Sequence, residues 1–110
     1  SIRISIALES SGTGTRISGK HMRNMVTNLL KEKHNVILDF DGVNFISSSY
    51  ADELIGKLIA SIGFIQFINH VKLKSISSYS VPIINRSVSQ RMAQTYYDNT
   101  IPDVTDDESH

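Results

Sequence analysis

Residues 35–62, NVILDFDGVNFISSSYADELIGKLIASI, constrain the fold more than any other stretch of the chain. Val36, Ile37, Leu38 and Phe40 form a short apolar run of the kind a buried strand carries, and Asp39, Asp41 and Gly42 lead it into a loop. Beyond three serines, Ala51, Leu54, Ile55, Leu58, Ile59 and Ile62 recur at helical spacing, so a strand end feeds a helix that must bury one face. Ser47, Ser48 and Ser49 therefore fall at or just before a helix N-terminus, where unpaired backbone N–H groups and the positive end of the macrodipole favour added negative charge. Gly63, just past the last apolar position, predicts the C-terminal cap.

The flanking segments repeat this alternation of types. Ile2, Ile4, Ile6 and Leu8 alternate with Arg3, Ser5, Ala7 and Glu9, the period-two pattern of a half-buried strand. Residues 10–15, SSGTGT, make a flexible turn, after which Ile17, Met22, Met25, Val26, Leu29 and Leu30 predict a helix to about Lys33. Phe64 to His70 fits both periods over so short a length and stays open between a helical turn and an extended segment. Val71, Leu73 and Ser75 alternate with Lys72, Lys74 and Ile76, predicting a third strand. Pro82 suits a first helical turn, and Ile84, Val88, Met92 and Tyr96 predict a third helix ending near Tyr97. The order is that of an α/β domain: a small, mainly parallel or mixed sheet of three to five strands with about three helices. Because the outer strands alternate while the central one is nearly continuous, the helices are expected mainly on one face. The expected division is one domain over residues 1–97 and a flexible, acidic C-terminal tail over residues 98–110.

Composition narrows the function. A chain of 110 residues, 40% hydrophobic, suits a single core, and no apolar run approaches the length of a membrane span. A soluble, cytoplasmic protein with no membrane partner is expected. Without cysteine there is no thiolate nucleophile, disulfide framework or Cys-based metal site. The chain begins at Ser1 without Met, as expected of an excised or processed chain. Formal charge is zero, but the tail holds Asp98, Asp103, Asp106, Asp107 and Glu108 and no Lys or Arg, which leaves the body mildly basic. Its basic residues are scattered over several elements with no recognition motif, so a nucleic-acid partner is not expected.

Two constellations invite chemistry. Gly14-Thr15-Arg16-Ile17-Ser18-Gly19-Lys20 has the GxxxxGK spacing of a phosphate-cradling loop, although His21 stands where a magnesium-binding Ser or Thr belongs. A nucleotide-binding or phosphoryl-transfer enzyme using this segment is the alternative reading. In the serine run, Ser49 followed by Asp52 resembles a capping box with a shortened acid, and Ser48 can cap instead. The same serines are phosphoacceptor candidates, since a phosphate adds roughly −1.5 to −2 charges at a helix start. Asp39, Asp41, Asp52 and Glu53 cluster in sequence, but acids at a strand end and in a first helical turn are ordinary there. His21, His34 and His70 lack ligand spacing, and no metal or other cofactor is expected.

LDFDGV (Leu38 to Val43) followed by YADEL (Tyr50 to Leu54) resembles the signature of the STAS-like domain of unknown function. Thr15-Arg16 ahead of the first long helix resembles that family's small-residue-plus-arginine step. The resemblance covers roughly Thr15 to Leu58. It implies a small α/β fold related to the STAS domains of bacterial anti-sigma factor antagonists, which work beside GHKL-type ATPase or serine-kinase modules. In those antagonists an Asp-Ser-Ser/Thr-Gly loop precedes the equivalent helix, and the phosphorylated position falls on Ser48 here; Ser47 replaces the aspartate and Tyr50 the glycine. The resemblance thus implies a non-enzymatic regulatory interaction module with Ser48, then Ser49 and Ser47, as phosphorylation candidates. Its partner, a GHKL-type ATPase or serine kinase, would meet Arg16, Ser48, Ser49, Tyr50, Asp52 and Glu53. A constitutive structural or dimerisation domain, pairing through a sheet edge as a homodimer, is a further alternative.

Overall fold

The computed structural model describes the backbone of residues 1–107 and the side chains of residues 1–98. Three short strands, β1 (Ile2–Ser5), β2 (Val36–Asp39) and β3 (Val71–Lys74), form a parallel sheet in the order β1-β2-β3. Between β1 and β2 lie α1 (Ile6–Glu9) and α2 (Arg16–Lys31). Between β2 and β3 runs an unbroken composite helix built from α3 (Ser48–Ala51), a π turn (Asp52–Gly56) and α4 (Lys57–Ile62), followed by α5 (Phe64–His70). The last element, α6 (Val81–Asp107), packs along the composite helix.

Both crossovers step across the sheet in the same direction, so their right-handedness places α2 and the composite helix on one face. Burial follows this: Ile4, Val36, Leu38 and Val71 are buried on the helix side, whereas Arg3, Lys72 and Lys74 of the other face are exposed. The expected one-sided α/β architecture is the one observed. On the open face, Arg3 Nε donates to Asp39 Oδ2 at 2.7 Å, tying the two strands.

Several local expectations are corrected. The alternation from Ile2 to Leu8 does not continue as a strand, because the Ser5 hydroxyl accepts from Leu8 N–H and caps the single turn of α1; Leu8 is left exposed. In α2 the buried face is Ser18, Gly19, Met22 and Val26, and Ile17 points to solvent. Phe64 to His70, left open by the sequence, is helical, and Gly63 at φ 89° is the expected C-terminal cap before it, its N–H donating to Ile59 O at 2.8 Å. The last helix runs to Asp107 instead of ending near Tyr97. Residues 108–110 of the expected tail, and its side chains beyond Asp98, lie outside the described residues.

Gly19 explains the choice of face on α2. A Cβ there would lie 2.9 Å from Glu53 Cβ and 3.1 Å from the Tyr50 carbonyl oxygen, so α2 and the composite helix touch through backbone. Gly19→Ala gains about 1 kcal/mol of helix propensity. It also presses on Glu53 Cβ and the Tyr50 backbone, neither of which is the free end of a flexible side chain, an overpacking cost of about 1–3 kcal/mol. The expected net is a loss of up to about 2 kcal/mol in urea denaturation. A variant more stable than the parent by the full propensity gain of about 1 kcal/mol would mean that the helices separate freely.

Candidate functional site

The serine run is divided among distinct tasks. Ser47 is the N-cap: its backbone is extended, at φ −78° and ψ 160°, and its hydroxyl accepts from Tyr50 N–H at 3.0 Å. Its own N–H is already held by Thr13 O at 3.0 Å, which fixes where the helix can begin. The cap is therefore neither Ser48 nor Ser49, and the capping box with Asp52 does not form. Ser48 is the first helical residue and is exposed, and Ser49 beside it is half-buried.

Behind the serines lies a charged cluster centred on the π turn. Arg91 from α6 grips Asp52 with two bonds of 2.8 Å, Nε to Oδ1 and Nη2 to Oδ2. Arg16, at the start of α2, reaches Asp52 Oδ2 at 3.0 Å and Glu53 Oε1 at 3.1 Å with the same Nη1. Glu53 also takes Arg23 Nη1 at 2.9 Å and Lys57 Nζ at 3.0 Å. Arg23 donates to the Glu53 carbonyl oxygen as well, at 2.7 Å; a side chain inserted in this way sustains an irregular helical turn. The two consecutive acids thus join α2, the composite helix and α6 at one point.

Electrostatics follow from this geometry. Hydrogen bonds from Arg91 foremost, then Arg16, hold the Asp52 carboxyl at about 2 against the opposing effect of burial. For Glu53 burial is the largest single influence and pushes upward, but Lys57, Arg23 and Arg16 together overcome it and hold the group at about 2. Asp39 is lowered chiefly by the Asp41 backbone N–H, with help from Arg3. Carboxylates depressed in the folded state stabilise it fully above their unfolded pKa, near 4, and lose that contribution as pH falls toward 2. Denaturation at a series of pH values should therefore give a plateau from pH 7 to about 5 and a decline of about 3–5 kcal/mol by pH 2, the lower end allowing for solvent screening at Asp52. Stability unchanged across that window would mean that the cluster is not formed.

Arg16, Ser48, Ser49, Asp52, Arg91 and Tyr97 line one groove of about 900 Å³ between the start of the composite helix and α6. Of the sequence-predicted contact residues, Arg16, Ser48, Ser49 and Asp52 meet there. Two do not. Tyr50 is fully buried, its hydroxyl paired with Ser10 Oγ at 2.7 Å, and so cannot touch a partner. Burial also raises its phenol above the ordinary value. Glu53 is spent on internal cations, its side chain 5% exposed.

The phosphate-loop spacing has no matching geometry. Thr15 caps α2 by accepting from Ser18 N–H at 3.1 Å, so residues 16–20 are already helical, and Gly19 faces protein instead of an open cradle. Among the described residues no group of three or more His, Asp or Glu side chains is placed to hold a metal ion. Nor is any described helix long and apolar enough to cross a membrane.

Local spacing did not reveal Arg23 and Arg91, which come from helices remote in sequence. Gly56 carried a usable signal, since glycine inside a helical pattern often marks close approach. A Cβ at Gly56 would lie 2.7 Å from both Asp52 Oδ1 and Ser87 Oγ, showing how tightly α6 crosses there.

Comparison with known proteins agrees with the architecture. The profile of the STAS-like domain of unknown function (DUF4325) matches residues 18–81, from the first turn of α2 to the start of α6. No curated protein and no solved structure matches the chain at a significant level. The matched stretch covers more than half of the chain and includes LDFDGV, the serine run and the π turn, and the chain therefore belongs to the family of STAS-like domains of unknown function.

Proposed function

We propose that this chain is a phosphorylation-controlled protein-interaction module, with Ser48 as the phosphoacceptor and the groove beside α6 as the docking face for a GHKL-type ATPase or serine kinase. A regulatory, non-enzymatic role is the general one for a STAS-like domain. The observation that carries the finer reading is the division of labour in the serine run: Ser47 does the capping, so Ser48 stands exposed at the helix start with no structural duty. A phosphate there costs neither a cap nor core packing, and it changes the charge of the groove a partner would meet.

The other readings have less support. A nucleotide enzyme would need the Gly14 to Lys20 segment as an open loop, whereas most of it is helix. Homodimerisation through a sheet edge meets exposed Arg3 on one edge strand and exposed Lys72 and Lys74 on the other, charges that discourage edge pairing.

The test compares the wild type with Ser48→Asp and Ser48→Ala against the partner kinase or ATPase. Ser48→Asp should shift partner Kd by about tenfold or more, Ser48→Ala should bind as wild type, and both should stay within about 0.5 kcal/mol of wild-type stability. Equal affinity in all three would remove the switch.

A further inference from the structure

The cluster at the π turn is unbalanced in charge. Arg16, Arg23, Lys57 and Arg91 face two carboxylates, Asp52 and Glu53, so four cations meet two anions. The surplus is not spread evenly. Arg23 and Lys57 serve Glu53 away from the groove, whereas Arg16 and Arg91, the two that share Asp52, line the groove itself. Arg16 is 54% exposed and divides a single Nη1 between Asp52 and Glu53, which leaves other guanidinium donors uncommitted in the observed network.

Ser48 lies one helical turn before Asp52, whose backbone N–H donates to the carbonyls of Ser48 and Ser49. Side chains at that spacing stand over one another on a helix surface. Both serines and both arginines border the same groove; its one carboxylate, Asp52, is the one the two arginines share, and its remaining polar lining residues, Gln90, Gln94 and Tyr97, are neutral.

We propose that Arg16 and Arg91 form a receiver for a phosphate on Ser48, so that the modification is drawn onto the body of the domain and fastens α2 and α6 to the composite helix. This rests on the reading of Ser48 as the phosphoacceptor and adds what the phosphate does next. A kinase transfers the γ-phosphoryl group of a nucleoside triphosphate: the Ser48 Oγ–P bond forms, the β,γ P–O bond breaks, the hydroxyl proton leaves to the kinase's base and the nucleoside diphosphate departs. The product brings roughly −1.5 to −2 charges and three acceptor oxygens to a place where two cations share one carboxylate. Guanidinium forks match such oxygens, and the added charge offsets the surplus of the cluster. The phosphorylated domain is then tighter than the unmodified one, and its groove presents a partner with a neutralised, occupied surface.

The test uses the full chain carrying genetically encoded phosphoserine at position 48, which needs no native kinase. Its phosphorus NMR signal is titrated in the native state and again in 8 M urea, and amide exchange is read in α6. In the native state the second phosphate ionisation should bind its proton at least threefold more weakly than in urea, and α6 amides should exchange at least threefold more slowly than in the unmodified chain. Arg16→Gln, at an exposed side chain that leaves the Asp52–Arg91 pair in place, should reduce both effects. Identical titration in the native and unfolded states, with α6 exchange unchanged, would overturn the receiver. A weakened proton affinity with unaltered partner binding keeps the receiver and removes the switch. Altered partner binding with a freely titrating phosphate does the reverse.

Discussion

Glu53→Ala is expected to lower stability by about 3–5 kcal/mol, the effect of breaking a buried ion pair by removing one partner. Three cations converge on this carboxylate, but they do not contribute equally. Arg16 and Lys57 are 54% and 42% exposed and can turn to water when the acid is gone. Arg23, 17% exposed, cannot, and keeps only the Glu53 carbonyl oxygen as a partner. Most of the loss therefore comes from a guanidinium stranded between α2 and the π turn. For a domain of this size, with a total stability of about 5–15 kcal/mol, such a loss is a large share. Glu53→Gln keeps the shape and one acceptor and should lose less. Urea denaturation of the three proteins at pH 7 measures this, and a loss below about 1 kcal/mol for Glu53→Ala would contradict the convergence described.

Tyr50→Ala should cost a comparable amount, about 3–5 kcal/mol, because it empties one of the largest fully buried side chains. Here the cause is packing, not charge. Tyr50→Phe isolates the hydroxyl, which pairs with Ser10 Oγ while Ser10 itself donates to Gly12 O at 2.7 Å. That loss should be near 1 kcal/mol, the net value of one hydrogen bond. The ratio between the two variants decides the role of the residue. If Phe proved as damaging as Ala, Tyr50 would matter chiefly as a tether for the loop after α1.

Legibility in the sequence followed the range of the forces involved. The central strand, the helix after the serines and the Gly63 cap depend on neighbours a few residues away, and all could be read from period and capping chemistry. Where two local rules compete, period alone misleads: Ser5 caps a turn within an alternating run, and the strand ends there. On α2 hydrophobicity picked out Met22, Val26, Leu29 and Leu30, which are buried or packed against the core, but it misplaced Ile17, which is exposed, and gave no sign of Gly19, whose buried place allows backbone contact. Met92 and Tyr96 continue the apolar stripe of α6 but are exposed, unlike Ile84 earlier on that helix. The site was half visible. Arg16, the serines and Asp52 were named from spacing and resemblance, whereas Arg91 and Arg23 join them only through helix packing, at separations of 39 and 30 residues.

The most direct test of Ser48 as a regulated phosphoacceptor is peptide mass spectrometry on the protein isolated from its native cells. Trypsin releases residues 34–57 as one peptide, bounded by Lys33 and Lys57 and containing Ser47, Ser48 and Ser49. Phosphate on Ser48, in a fraction that varies with growth condition, is the predicted result. Full coverage of that peptide from several growth conditions with no phosphate on Ser48 would contradict it.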